Sequence, residues 1–158
     1  MSFYQDIVAE YVRADRRYFV NPEFLLQDEL AEDDEDKKKH WFVDLLAINL
    51  KKREAFLCEV TYAKQPKALM SRLRNWHQHW QMVRNALERH SGISSDWRVR
   101  PWLFVPQSSI EALCKRLPSF EIPPLITPLE MTAPWSFCTW NRIGENPKPD
   151  CIPPAMRE

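Results

Sequence analysis

Two short apolar runs, each with a single carboxylate in its interior, constrain this chain more than any other feature. Residues 41–50 read WFVDLLAINL and residues 55–62 read AFLCEVTY, with the polar stretch KKRE between them. Both runs have strand composition, and the short polar link predicts an antiparallel β-hairpin. The acids inside the runs are Asp44 and Glu59. Desolvating a carboxylate costs several kcal/mol unless it is paired, hydrogen-bonded or coordinated, so a strand rarely carries one inward without a use for it. Facing residues of an antiparallel pair have numbers of constant sum. An even-length turn makes that sum odd, as it is for Asp44 with Glu59, so any such turn puts both acids on one face of the sheet. A turn centred on Lys51-Lys52 sets them directly opposite each other, one centred on Lys52-Arg53 sets them diagonally, and an odd-length turn separates them. Thr61 shares the face of Glu59.

The rest of the chain supplies layers for that hairpin. Residues 2 to about 18 predict a helix, opened by a capping box of Ser2 and Gln5. Ile7, Tyr11, Ala14 and Tyr18 are its expected buried stripe, with Glu10 at the margin. Asn21-Pro22 ends it, and 23–30 reads as an edge strand or a short helical turn. Residues 31–40, AEDDEDKKKH, read as a solvated loop. Residues 66–90 predict one long helix with Pro66 in its first turn, the stripe Leu69, Leu73, Trp76, Trp80, Val83, Leu87, and a stop at Gly92. Residues 97–105 predict a strand, with Pro101 near an edge or bulge. A short helix capped at Ser108 or Ser109 follows, and FEIPPLIT holds room for one more strand. The order is that of an α/β protein, a mixed sheet with helices on both faces. The expected organisation is a core over 1–117 and a Pro-rich C-terminal segment, 118–158, wrapping the same domain; that segment holds nine of the thirteen prolines.

Composition removes several function classes. With two glycines and neither GxGxxG nor GxxxxGK[ST], a dinucleotide fold or P-loop is not expected. Cys58, Cys114, Cys138 and Cys151 have no CxxC spacing, and the four histidines form no HExxH. No apolar run approaches the ~20 residues of a membrane helix. Early charges and no signal-peptide core give the expectation of a cytoplasmic protein. The net charge is zero, with 22 basic and 22 acidic residues. The zero is segregated: net −5 over 1–40, zero over 41–62, +5 over 63–90, +2 over 91–117 and −2 over 118–158. A basic region beside the carboxylate hairpin attracts phosphates despite the neutral sum.

Two strand carboxylates on one patch repel each other, and Mg²⁺ is the usual resolution. Magnesium prefers oxygen ligands and keeps waters, one of which can serve as nucleophile. Phosphodiester hydrolysis also needs a cation to stabilise the developing charge.

Glu10 in the first helix, Asp44 in FVDLL, Glu59 in LCEVT, the fourteen residues between these last two and the basic amphipathic helix that follows together resemble the PD-(D/E)XK nuclease superfamily, of restriction-endonuclease-like fold. The resemblance covers about residues 2–105. It implies an α-β-β-β-α-β core and a Mg²⁺- or Mn²⁺-dependent hydrolase acting on nucleic acid, with DNA the first expectation. It implies Glu10, Asp44 and Glu59 as catalytic acids, Asp44 and Glu59 as metal ligands. The family's lysine falls at Thr61, so the cation is expected from elsewhere: Lys64 first, then Lys67 or Arg72. Lys67, Arg72 and Arg74 are the expected nucleic-acid contacts, and Gln78 is a further candidate for substrate contact. The missing lysine equally suits an inactive member of the fold, a nucleic-acid- or protein-binding subunit working with a protein partner or as a homodimer.

Overall fold

The computed structural model describes residues 2–27 and 40–132. The acidic loop, except His40, lies outside the described residues, as does the tail from 133 with Trp135, Phe137 and Trp140. Helix α1 (Phe3–Ala14) leads into strands β1 (Phe19–Gln27), β2 (His40–Asn49) and β3 (Glu54–Val60). Helices α2 (Lys67–Gln78) and α3 (Trp80–Ser91) follow, then β4 (Arg98–Val105), a 3₁₀ turn (Gln107–Ser109), α4 (Ile110–Cys114) and β5 (Leu125–Pro128). The five strands form one sheet in sequential order; β1–β2 and β2–β3 are antiparallel, β3–β4 and β4–β5 parallel. Among the described residues no helix is long and apolar enough to cross a membrane.

Helix α1 opens on the expected capping box, with Ser2 and Gln5 exchanging both bonds. It ends at Ala14 rather than near residue 18. Asp15 caps the end with an extended backbone, and its carboxylate takes the Arg17 amide and guanidinium. The buried stripe is Val8, Ala9, Tyr11 and Val12, shifted from the expected one, of which Tyr11 alone is buried. The segment after it is a strand that begins at Phe19, and Pro22 is tolerated because β1 lies at the sheet edge.

The expected long helix is two helices. The break is at His79 (φ −116°, ψ 27°), whose amide is shared between the Asn75 and Trp76 carbonyls. Trp41 of β2 lies against this point, its indole N–H donating to Asn75 Oδ1 and its ring 6.5 Å from that of His79. The apolar stripe still continues across the break. Leu69, Leu73, Trp76, Val83 and Leu87 are buried, each aliphatic side chain contributing roughly 1.5–3 kcal/mol. Gly92 closes α3 in the left-handed conformation (φ 72°), where a glycine is least strained. Pro101 lies inside β4, but β5 pairs only from Trp102 onward, so its missing N–H falls on a locally open edge. Ser109 does not cap α4; its hydroxyl donates to the Lys64 carbonyl instead.

Each face of the sheet has its own core. Leu57, Val99 and Leu103 pack with α2 and α3, whereas Phe56, Cys58 and Trp102 pack with α1. In β2 the alternation reverses part-way. Trp41 and Val43 belong to the α2–α3 face, but Leu45 and Ala47 belong to the α1 face. The strand therefore turns over at Asp44. Its neighbour β1 does the same: Phe24 and Leu26 pack on the α2–α3 face and Val20 on the α1 face. The β1–β2 ladder runs through Pro22–Leu45 and Phe24–Val43 but skips Glu23–Asp44, and Glu23 has a positive φ of 52°. The mixed sheet is thus locally everted at one residue pair, one member of which is the hairpin's first carboxylate.

Candidate active site

The hairpin register puts Leu45 opposite Cys58 and Asn49 opposite Glu54, with Leu50 to Arg53 as a four-residue turn centred on Lys51-Lys52. Continued by one step, that register sets Asp44 opposite Glu59. The backbone ladder stops one residue short. In its place the Asp44 side chain reaches across, and Oδ2 accepts the Val60 amide at 2.8 Å. Asp44 Oδ1 accepts from Gln5 Nε2 at 2.7 Å, while Gln5 Oε1 accepts the Ser2 amide at 2.6 Å. One glutamine thus completes the α1 capping box and fixes the Asp44 carboxylate.

Glu59 is fully buried on β3. Arg72 of α2 brings Nη2 to 2.5 Å from Glu59 Oε2. The contact is an ion pair that leaves the guanidinium partly in solvent while the carboxylate is wholly out of it. Burial pushes the Glu59 carboxyl up to about 8 and the Asp44 charge adds to the rise, while the charge and hydrogen bond of Arg72 and the backbone amide of Asp44 oppose it. A carboxyl that desolvated, next to a second acid, is short of positive charge even with its arginine in place. Arg72 remains 42% exposed and lines a cleft of about 380 Å³ with His40, Phe42, Ser71, Asn75 and Trp76.

The other expected site residues fall elsewhere. Glu10 is not brought to the carboxylates; it stands 54% exposed and paired with Arg13 at 2.7 Å. It is about 140° around the helix from Gln5 and faces away from the core, so the helix contributes Gln5 instead. Lys64 is exposed in the β3–α2 connection. It lines a groove with Lys67, Ser109 and Arg116 that includes neither Asp44 nor Glu59. Arg72, a later choice for the cation, is the one that meets Glu59. Arg74 and Gln78 are exposed on α2, and Thr61 uses its hydroxyl to accept the Ala63 amide. The role of Gln5 was not read from the sequence, where its only visible signal was the capping box.

Among the described residues no group of three or more His, Cys, Asp and Glu side chains converges as a metal site. The carboxylate pair nonetheless suits one kind of ion. Asp44 and Glu59 offer oxygen alone, and two carboxylates with water in the remaining positions is a magnesium-like donor set. No family model, curated protein or solved structure matches the chain.

Proposed function

We propose that this chain is a metal-dependent phosphodiesterase of the restriction-endonuclease-like fold, with nucleic acid as substrate and Asp44 and Glu59 as the ligands of Mg²⁺ or Mn²⁺. The observation that carries the reading is Glu59: a fully buried carboxyl beside a second acid, pushed up by burial and by the Asp44 charge even with Arg72 against it. A divalent cation removes both the repulsion and the unsatisfied desolvation. When bound, it lowers the pKa of a coordinated water and neutralises phosphate charge. Gln5 and the Val60 amide hold the Asp44 carboxylate in a fixed orientation. Arg72 is the cation at the site, half-exposed and able to turn from Glu59 toward a phosphate oxygen once the ion supplies charge. The order α1-β1-β2-β3-α2/α3-β4, with an antiparallel hairpin and then a parallel β4, supports the superfamily reading.

The test is Mg²⁺- or Mn²⁺-dependent cleavage of DNA and RNA by the wild type and by Asp44→Asn. Asparagine keeps an acceptor for Val60 or Gln5 and removes the charge, so loss of cleavage reports on the metal rather than on folding. Equal cleavage by both proteins, or none by either with any divalent ion, refutes the reading.

A second reading is favoured by the Arg72–Glu59 contact itself. An arginine that already compensates Glu59, with Thr61 at the motif lysine's position, suits a fold that binds nucleic acid without cutting it. Calorimetric titration with Mn²⁺ separates the two, since this reading requires no metal uptake by the wild type.

A further inference from the structure

An aromatic cluster adjoins the two residues that hold Asp44. Phe3 and Tyr4 immediately precede Gln5, the residue that donates to Asp44, and Tyr62 lies two residues beyond Val60, whose amide Asp44 accepts. Tyr4 and Tyr62 stack with ring centroids 4.6 Å apart and planes 7° from parallel. Phe3 meets Tyr4 edge-on at 5.5 Å. Phe3 is 72% exposed and Tyr62 63%. With one Tyr62 face covered by Tyr4, that exposure belongs to the opposite face and the ring edge. The cleft beneath, about 230 Å³, is lined by Tyr4, Ile7, Tyr62, Leu129 and Glu130. Its acid is engaged, as Glu130 accepts the Gln107 amide at 2.9 Å. Tyr4 packs against the α1-side core, whereas Phe3 and Tyr62 are mostly exposed and contribute little to it.

Two residues further along the same connection the surface changes from aromatic to cationic. Lys64, Lys67 and Arg116 line one groove, and no acid shares it. Among the described residues none of the three is in an ion pair. The groove is shaped by the Ser109 hydroxyl, which binds the Lys64 carbonyl at 3.1 Å and so ties the β3–α2 connection to the turn before α4.

An open ring face followed by a groove of cations is the combination that single strands use: bases stack on the rings while the backbone follows the positive charge. A duplex hides its base faces and has no use for the first half. We infer that the surface from Phe3, Tyr4 and Tyr62 to Lys64, Lys67 and Arg116 is a track for single-stranded nucleic acid. It deepens the nuclease reading and rests on it only for the link to Asp44 and Glu59: unpaired bases on Tyr62 bring the neighbouring phosphate to the carboxylates.

Fluorescence anisotropy with a labelled oligothymidylate of roughly 12 nucleotides, in EDTA, tests this without any cleavage. The single strand binds at least about tenfold more tightly than a duplex of the same length. Tyr62→Ala weakens it about tenfold, and Tyr62→Phe restores it. Lys67→Ala, on the exposed helix surface, lowers the slope of log affinity against log salt by about 0.7 if it releases one phosphate contact. A parallel comparison of oligouridylate with oligodeoxyuridylate, which differ only in the 2′-hydroxyl, shows which sugar is preferred. Equal affinity for duplex and single strand overturns the inference. So does a Tyr62→Ala protein that folds and binds as the wild type does. The two proposals fail separately. Single-strand binding through Tyr62 with no divalent-dependent cleavage sinks the nuclease and leaves the track. Cleavage lost in Asp44→Asn, with duplex bound as well as single strand, does the reverse.

Discussion

Glu59→Gln stabilises the protein at neutral and alkaline pH, and the gain grows with pH. The folded carboxyl titrates at about 8 and the same group ordinarily at 4.5. Between those values the folded state holds a proton that the unfolded chain has released. Raising the pH through this window therefore favours unfolding. Integrating the two titrations from pH 5 to pH 8 gives a loss of about 3–4 kcal/mol from Glu59 alone, at 1.36 kcal/mol per pH unit. Glutamine has the same shape and no charge, so its variant lacks this slope. Arg72, already half in solvent, tolerates losing its partner. Urea unfolding of both proteins at a series of pH values measures the difference directly. Glu59→Gln is expected to pull ahead of the wild type as pH rises, then level off above about 8. A flat difference, or a wild type that gains on the variant with pH, refutes the assignment of Glu59 as a buried, under-compensated acid. Mn²⁺ supplies the second half of the experiment. A bound divalent ion favours the ionised carboxyl, so saturating metal narrows the gap at pH 8 in the wild type and does nothing for Glu59→Gln.

Three further outcomes follow from single contacts. Gln5→Leu removes the bonds to Asp44 and the Ser2 amide, costing about 1–2 kcal/mol in thermal unfolding and about 10–100-fold in Mn²⁺ affinity by calorimetry. Arg72→Ala withdraws the cation facing Glu59. It is expected to destabilise the fold by about 1–2 kcal/mol at pH 9 and by much less at pH 5, where Glu59 is protonated; Arg72→Lys recovers part of the loss in the same urea series. Leu73→Ala empties a fully buried position between α2 and the sheet and costs about 2–5 kcal/mol in urea unfolding at any pH.

The parts of this structure legible in the sequence are those set by periodic patterns. The stripe from Leu69 to Leu87 gave the helical layer, and it survives the break at His79 because the apolar positions stay in phase across it. The capping box gave the start of α1. The parity of the hairpin placed the two acids on one face for any even turn; the ladder from Leu45–Cys58 to Asn49–Glu54 has that odd sum, but β2 turns over at Asp44 before the pair is formed. Contacts between distant segments were not legible. Nothing local to WHQHW signals a helix break, since Trp41 packs there from β2. Strand spacing points to position 61, which is Thr61, and Lys64 is merely the next lysine past the strand, whereas Arg72 comes from the following helix, in a position that only docking fixes. Glu10 looked like a helical acid at the stripe's edge because the stripe was placed on Ile7, Tyr11 and Ala14. Moving it to Val8, Ala9, Tyr11 and Val12 turns Glu10 outward and Gln5 inward.

The eversion at Asp44 connects the fold to the candidate chemistry. A strand in regular pleat places every side chain on one face or the other, and a carboxylate on either face here meets one apolar core or the other. Where β2 turns over, Asp44 has neither face to occupy and reaches toward β3, where it takes the amide of Val60. That bond ends the β2–β3 ladder at Leu45–Cys58 and leaves the hairpin open at Glu59. The opening lies between the two helical layers, and so can be reached by Gln5 from α1 and Arg72 from α2. The same carboxylate therefore both ends the pairing and stands at the opening it makes. Asp44→Ala would withdraw the Val60 acceptor and the Gln5 acceptor together, which is why asparagine is the informative substitution and alanine confounds chemistry with the closure of the sheet.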